Sequence, residues 1–338
     1  MKRAILFVIF IIVGFFFIYV LSAVFIPIRL DKPIEVRIKK GMSFKEAVDT
    51  LYSQGLIHDK NIFIALGKIS RLDKRIKPGY YPFMGSMNAW NVFKALKMGF
   101  IIQSTLTILE GDSLLEIKKK LSLNEIITEE VFDRLSNDKT FLMSLNISAP
   151  SLEGYLFPDT YAFPKGLEPE EVLRIMVQRL RQKFSGDLIT KAHSLRLSER
   201  EVLTLASIIE KEAQVNEERY IISAVYHNRL KRRMLLQADP TSIYGIKPQG
   251  AGIKIKDLKR KTPYNTYHIK GLPPGPIASP GINSIKATLY PSKVPYLYFV
   301  SNGDGTHTFS ITLSDHLKAI ELIKEMKKNS EGDIKNDI

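Results

Sequence analysis

Residues 34–51 read IEVRIKKGMSFKEAVDTL, and their pattern sets the fold of the first half of the chain. Alternation at Val36 and Ile38 predicts a short strand. Gly41 suits a turn. Ser43 can cap a helix whose third position is Glu46, a capping box in which each residue satisfies the other's exposed backbone N–H. The layout returns in residues 106–121, LTILEGDSLLEIKKKL. At an offset of 70, Ile38 corresponds to Ile108, Gly41 to Gly111, Ser43 to Ser113, Glu46 to Glu116 and Leu51 to Leu121. A solenoid needs about three or more repeats, so two copies predict a strand–turn–helix unit used twice. Between them, Phe63–Ser70 and Trp90–Lys97 have helical patterns, separated by the turn-rich Lys77–Pro82.

Residues 34–103 therefore read as a small β/α module, which resembles the LysM-like modules of cell-wall proteins. That likeness implies glycan-chain binding. Upstream, residues 4–26 (AILFVIFIIVGFFFIYVLSAVFI) carry no charge. As a helix they would span about 34 Å, enough for a bilayer core of about 30 Å. The run is long for a cleavable signal, and Leu21-Ser22-Ala23 is a poor cleavage site. An uncleaved anchor is expected, with residues 1–3 cytoplasmic because Lys2 and Arg3 precede the span, and with the rest of the chain outside.

Downstream, residues 122–150 read as short helices and a connector. Residues 166–196 read as helical, with Val172, Ile175, Met176 and Leu180 as the apolar stripe. Tyr296–Val300 predicts a buried strand, Gly303-Asp304-Gly305 a turn and Thr308–Ser310 the return strand. The fold class is α+β. It comprises a transmembrane helix over 4–26, the LysM-like module over 34–103, a larger mixed α+β catalytic domain over 104–328 and a polar, disordered tail over 329–338.

Composition excludes several functions. The 338 residues contain no cysteine, which removes disulfide scaffolds, thiol catalysis and Cys-ligated metals. The six histidines form no paired metal spacing, so neither a metal nor a cofactor is expected, and each reads as a surface or hydrogen-bonded structural histidine. No phosphate loop or nucleophile elbow occurs. The formal charge is +14. It concentrates in residues 34–103, with 12 basic and 5 acidic groups, whereas residues 104–338 hold 33 and 29. An extracytoplasmic domain makes anionic lipid or wall polymer, and not nucleic acid, the expected partner of this charge.

The second half holds the chemistry. Ser198-Glu199-Arg200-Glu201 is another capping box, and it opens the helix VLTLASIIEKEA. At about 100° per residue, Val202, Leu205, Ala206, Ile209 and Ala213 centre the buried stripe. Lys211 points away from it. Glu210 and Glu212 lie on opposite flanks, and periodicity does not choose between them. Three further runs combine Pro and Gly with Tyr, Asn, Gln and Thr. They are 151–161, 228–245 and 262–281. Pro and Gly fix loop geometry, and the others offer stacking faces and neutral hydrogen bonds of the kind that hold sugars.

These residues resemble the YceG-like (MltG) endolytic murein transglycosylases. The matching runs are EGYLFPDTY (153–161), ASIIEKEA (206–213), NRL with MLLQADPT and YG (228–245), TPYNTY with GLPPGPIASPG (262–281), and PYLYFV with GTHTFS (295–310). The resemblance implies an inner-membrane enzyme with a periplasmic catalytic domain. It would cut the MurNAc–GlcNAc β-1,4 bond of nascent glycan strands, leave 1,6-anhydro-MurNAc ends, and associate with peptidoglycan synthases. It implies Glu212 as catalytic acid/base and gives Glu210 a secondary role. Asp159, Tyr161, Gln237, Asp239, Thr241, Tyr264 and Asn265 are candidates for holding substrate or orienting Glu212. One carboxyl can suffice, because the substrate's own C6 hydroxyl is the nucleophile. It would donate a proton to the leaving oxygen and then take one from that hydroxyl. The alternative is a wall-binding scaffold without turnover that recruits synthesis enzymes.

Overall fold

The computed structural model describes residues 2–247 and 251–336, which divide into two compact units. The first comprises residues up to Thr105 together with Ala162–Glu168. Its elements are α1 (Lys2–Phe25), β1 (Ile28–Ile38), α2 (Phe44–Ser53), α3 (Lys60–Ile69), β2 (Gly79–Met87), α4 (Ala89–Met98) and the start of β3 (Gln103–Thr107). Among the described residues, α1 is the one helix long and apolar enough to cross a membrane.

The Ser43–Glu46 capping box forms at the start of α2. Strand β1 is longer than Val36–Ile38 alone suggests, and it pairs antiparallel with β2, Val36 opposite Tyr81 and Glu35 opposite Pro82. The turn expected over Lys77–Pro82 is thus mostly strand. Pro82 is tolerated because each strand of a two-stranded ribbon has one unpaired edge, where a missing N–H costs nothing. Val36, Ile38, Leu51, Phe63, Tyr81, Phe83 and Val92 close one apolar core.

The second unit comprises Leu106–Tyr161 and residues from Pro169 onward. It continues with α5 (Leu114–Leu123), α6 (Glu129–Asn137), α7 (Lys139–Ser144), the start of β4 (Thr160–Pro164, which pairs with β3), α8 (Pro169–Lys183), α9 (Asp187–Ser194), α10 (Glu199–Glu212) and α11 (Arg219–Lys231). Then come α12 (Ile255–Leu258), α13 (Ile282–Leu289), β5 (Tyr298–Ser301), β6 (His307–Ser310) and α14 (Leu313–Asn336). The second copy of the repeated layout is present. Gly111 has φ +81° against +83° at Gly41, Ser113 and Glu116 form the capping box, and Ile108 and Leu121 are buried as Ile38 and Leu51 are.

Three expectations change here. The helical stretch 166–196 is two helices, α8 and α9, broken at Gly186. Strand β5 starts at Tyr298 and is half-exposed, not buried. The backbone expected to be a disordered tail is helical to Asn336, while residues 337–338 lie outside the described residues.

Helix α10 is the axis of this unit. Every residue from Val202 to Ile209 is buried, so the helix is covered on all sides and not along one stripe. Its polar residues are satisfied inside. The Ser207 hydroxyl donates to Thr204 O at 2.8 Å and accepts the Ile277 N–H at 3.0 Å. Helix α11 and the 277–289 segment pack on α10, and Leu205, Ile208, Ile209, Ile222, Tyr226, Leu236 and Ile277 share one core. That packing fixes the end of α10, where the two carboxylates sit.

Candidate active site

The two glutamates that periodicity left equivalent have different surroundings. Glu210 is locked into the protein. Its Oε1 pairs with Arg219 Nη1 at 2.9 Å, its Oε2 accepts the Gly281 N–H at 2.9 Å, and its side chain is 5% exposed. A Cβ at position 281 would fall on the Glu110 carboxyl, so glycine lets the chain pass close enough to make that bond. Burial, with Glu210 beside it, raises the pKa of Glu110.

Glu212, the last residue of α10, instead opens into a cavity of about 340 Å³. Arg229 enters it from α11, Gln237 and Asp239 from the following loop, Tyr267 from the 262–281 run, Phe299 from β5, His307 from β6 and His316 from α14. Tyr226 donates its hydroxyl to Glu212 Oε1 at 3.0 Å. Desolvation, reinforced by the Asp239 charge, pushes the Glu212 carboxyl up to about 7, against the lowering effect of Tyr226 and Arg229. The carboxyl is therefore half-protonated near neutral pH, as a proton donor requires.

The lining residues are tied to one another and to the loops behind them. Arg229 donates from Nε to Leu297 O and from Nη1 to Leu236 O, both at 2.7 Å, and lies over the Tyr298 ring. It therefore ties β5 to the loop that carries Gln237. Asp239 accepts the Tyr267 hydroxyl. Gln237 has φ +48°, a left-handed conformation uncommon outside glycine, and its N–H is bonded to Thr266 O at 3.2 Å.

A model of the YceG-like family matches residues 36–322. The chain belongs to the YceG-like family. It is 32% identical over 319 residues to a Bacillus subtilis protein named endolytic murein transglycosylase, covering 87% of this chain and 86% of that one. A Streptococcus pneumoniae protein of the same name is 30% identical over 332 residues; the match covers 88% of this chain and 60% of that longer protein. The crystal structure of a yceG-like protein from Listeria monocytogenes superposes with a TM-score of 0.59 at 32% identity, over 86% of this chain and 99% of that one.

Within this YceG-like chain, three of the nine residues singled out from sequence, Glu212, Gln237 and Asp239, line the cavity. The others are built into the protein nearby or elsewhere. Thr241 is fully buried, donates to Ala238 O at 2.6 Å and contacts the Thr266 hydroxyl at 2.9 Å, clamping the Gln237–Asp239 loop to the 262–281 run. Asn265, also fully buried, donates to Arg260 O at 2.6 Å and Leu258 O at 3.0 Å and accepts the Tyr267 N–H at 3.0 Å. Both support the wall, and neither faces it. Asp159 pairs with Arg179 at 2.5 Å, and Tyr161 donates to Phe157 O at 2.6 Å.

Tyr264 packs on Tyr244 next to a second cavity of about 390 Å³, lined by Glu153 and Tyr244. Glu153 is pushed up to about 7 by burial, although it accepts the Leu114 N–H at 3.1 Å and the Tyr244 hydroxyl at 2.9 Å. Tyr226, Arg229, Tyr267, His307 and His316 were not singled out from sequence. The available signal for Tyr226 and Arg229 was their spacing of three on α11, which puts two polar ends on the face that buries Ile222. For the two histidines no local pattern existed.

Proposed function

We propose that this chain is a membrane-anchored endolytic lytic transglycosylase of peptidoglycan, with Glu212 as its acid. The Glu212 carboxyl would protonate the glycosidic oxygen between MurNAc and GlcNAc. The C1–O bond breaks with its electron pair going to that oxygen, and positive charge develops at C1. The C6 hydroxyl of the same MurNAc closes onto C1, loses its proton and leaves a 1,6-anhydro end. No water is consumed, and holding the hydroxyl against C1 supplies a large proximity advantage. Asp239, accepting the Tyr267 hydroxyl, offers a fixed negative charge beside the developing cation.

The observation that carries this reading is the placing of Glu212: at the end of the buried helix α10, held by the Tyr226 hydroxyl, it lines a cavity together with Arg229, Gln237, Asp239 and Tyr267. The family's name-bearing relatives support the reaction class. Helix α1 supports a single-pass anchor, and Lys2 and Arg3 support an N-terminus in the cytoplasm with the catalytic unit outside. The helix-backed ribbon of the first unit supports a LysM-like contact with glycan, and working on nascent strands would place the protein beside peptidoglycan synthases.

The test is digestion of uncrosslinked glycan strands with the wild type and Glu212→Gln, followed by mass spectrometry of the ends. Anhydro ends are expected from the wild type only. Reducing ends would make the protein a hydrolase, and no new ends would leave a wall-binding scaffold.

A further inference from the structure

The mechanism above leaves one proton to place, that of the C6 hydroxyl. Glu212 could take it back after donating, but the cavity holds a second group able to accept it. His307 lines the same cavity as Glu212. Its side chain is only 7% exposed, so it is not a surface histidine. Glu218, at the N-terminal cap of α11, grips it twice: Oε2 lies 2.6 Å from Nδ1, and Oε1 accepts the His307 N–H at 3.0 Å. The ring meets Phe299 edge-on at 5.4 Å and Phe309 at 6.2 Å, which leaves little freedom to turn. Phe299 also meets Tyr226, the residue that holds Glu212.

These contacts have one chemical consequence. With Nδ1 donating its hydrogen to Glu218, the neutral ring carries its lone pair on Nε2. No described residue hydrogen-bonds to Nε2, so a substrate hydroxyl can. The Glu218 carboxylate oxygen, 2.6 Å from Nδ1, stays against the hydrogen that Nδ1 carries when Nε2 accepts a proton. A carboxylate orienting one nitrogen while the other faces a cleft is the arrangement of an activated base.

Resting on the reading of this cavity as a transglycosylase site, we infer that His307, oriented by Glu218, is the base that removes the C6-hydroxyl proton, so that acid and base are separate residues. As Glu212 gives its proton to the leaving oxygen and C1–O breaks, the C6 oxygen bonds to C1 and its proton passes to His307 Nε2. The imidazolium releases that proton to solvent and Glu212 takes one up, which restores both groups with no net change.

The experiment compares the full-length wild type with Glu212→Gln, His307→Asn, His307→Ala and Glu218→Gln on uncrosslinked strands, following anhydro ends and thermal melting. Asn at 307 keeps a donor for Glu218 but has nothing at the Nε2 position. Expected for His307→Asn is a fall in kcat of about 10²-fold or more, the usual worth of a general base, with KM and melting temperature little changed. Free imidazole should restore activity to His307→Ala, and Glu218→Gln should lie between wild type and His307→Asn. If His307→Asn keeps kcat within about threefold, or imidazole rescues nothing, the inference is overturned while the assignment of Glu212 stands. An active Glu212→Gln overturns that assignment separately. A wild type without anhydro ends removes the proposed function and this inference with it.

Discussion

If burial is what raises the Glu212 carboxyl, then removing its charge must stabilise the protein, and only above a certain pH. The perturbation is Glu212→Gln. In the folded chain the carboxyl sits at about 7, against 4.5 for a free glutamate. Between these values the folded state binds the extra proton, so stability is lost as pH rises from about 4.5 through 7 and is flat beyond. At pH 8 the accumulated loss is at most about 3 kcal/mol, from 1.36 kcal/mol per pH unit of displacement. At pH 5 it is under about 1 kcal/mol.

Gln keeps an acceptor for the Tyr226 hydroxyl and does not ionise. The melting transition of the second unit should therefore rise in the variant by up to about 6–12 °C at pH 8 and hardly at all at pH 5. Scanning calorimetry of full-length protein in detergent measures this. Glu153 titrates over a similar range, but it is present in both proteins and cancels from the difference. A variant no more stable than wild type at pH 8, or equally stabilised at both pH values, would refute the argument that desolvation sets the acid's pKa.

Other consequences follow from the same geometry. The kcat/KM of the wild type should fall about tenfold per pH unit above 7 as the acid ionises. Tyr226→Phe removes a bond that lowers the Glu212 pKa, so this limb should move to higher pH; an unmoved limb would contradict the assignment. Arg219→Ala strips the buried partner from Glu210 and should cost about 3–5 kcal/mol, read as a large drop in melting temperature. Asp159→Ala breaks a partly exposed pair that does not line the Glu212 cavity and should cost under about 1 kcal/mol with kcat intact.

Some of this site was legible in the sequence and some was not, for identifiable reasons. The capping boxes at Ser43, Ser113 and Ser198 depend on residues three apart, and all three form. Glu210 and Glu212 could not be separated by helical phase. What separates them is Arg219 and Gly281, nine and 71 residues beyond Glu210, which occupy both oxygens of one glutamate, while the other lines the cavity. Thr241 and Asn265 are candidates in the sequence for holding substrate or orienting Glu212, because hydroxyls and amides bind sugars and carboxylates. The same groups also pin loops, and in the fold they face backbone carbonyls. No local pattern marks His307, because its partner Glu218 is 89 residues away. The ribbon β1–β2 hid behind Pro82, whose reading as a turn fails only because the strand has an open edge.

The most direct test of the account follows the oxygen that ends up on C1 of MurNAc. Glycan strands are cleaved by the wild type in water enriched in oxygen-18, and the new ends are analysed by mass spectrometry. The account predicts anhydro-MurNAc ends carrying no label, since the nucleophile is the sugar's own C6 hydroxyl, and no new ends with Glu212→Gln. Labelled reducing ends would show that water attacks C1 and would contradict the account.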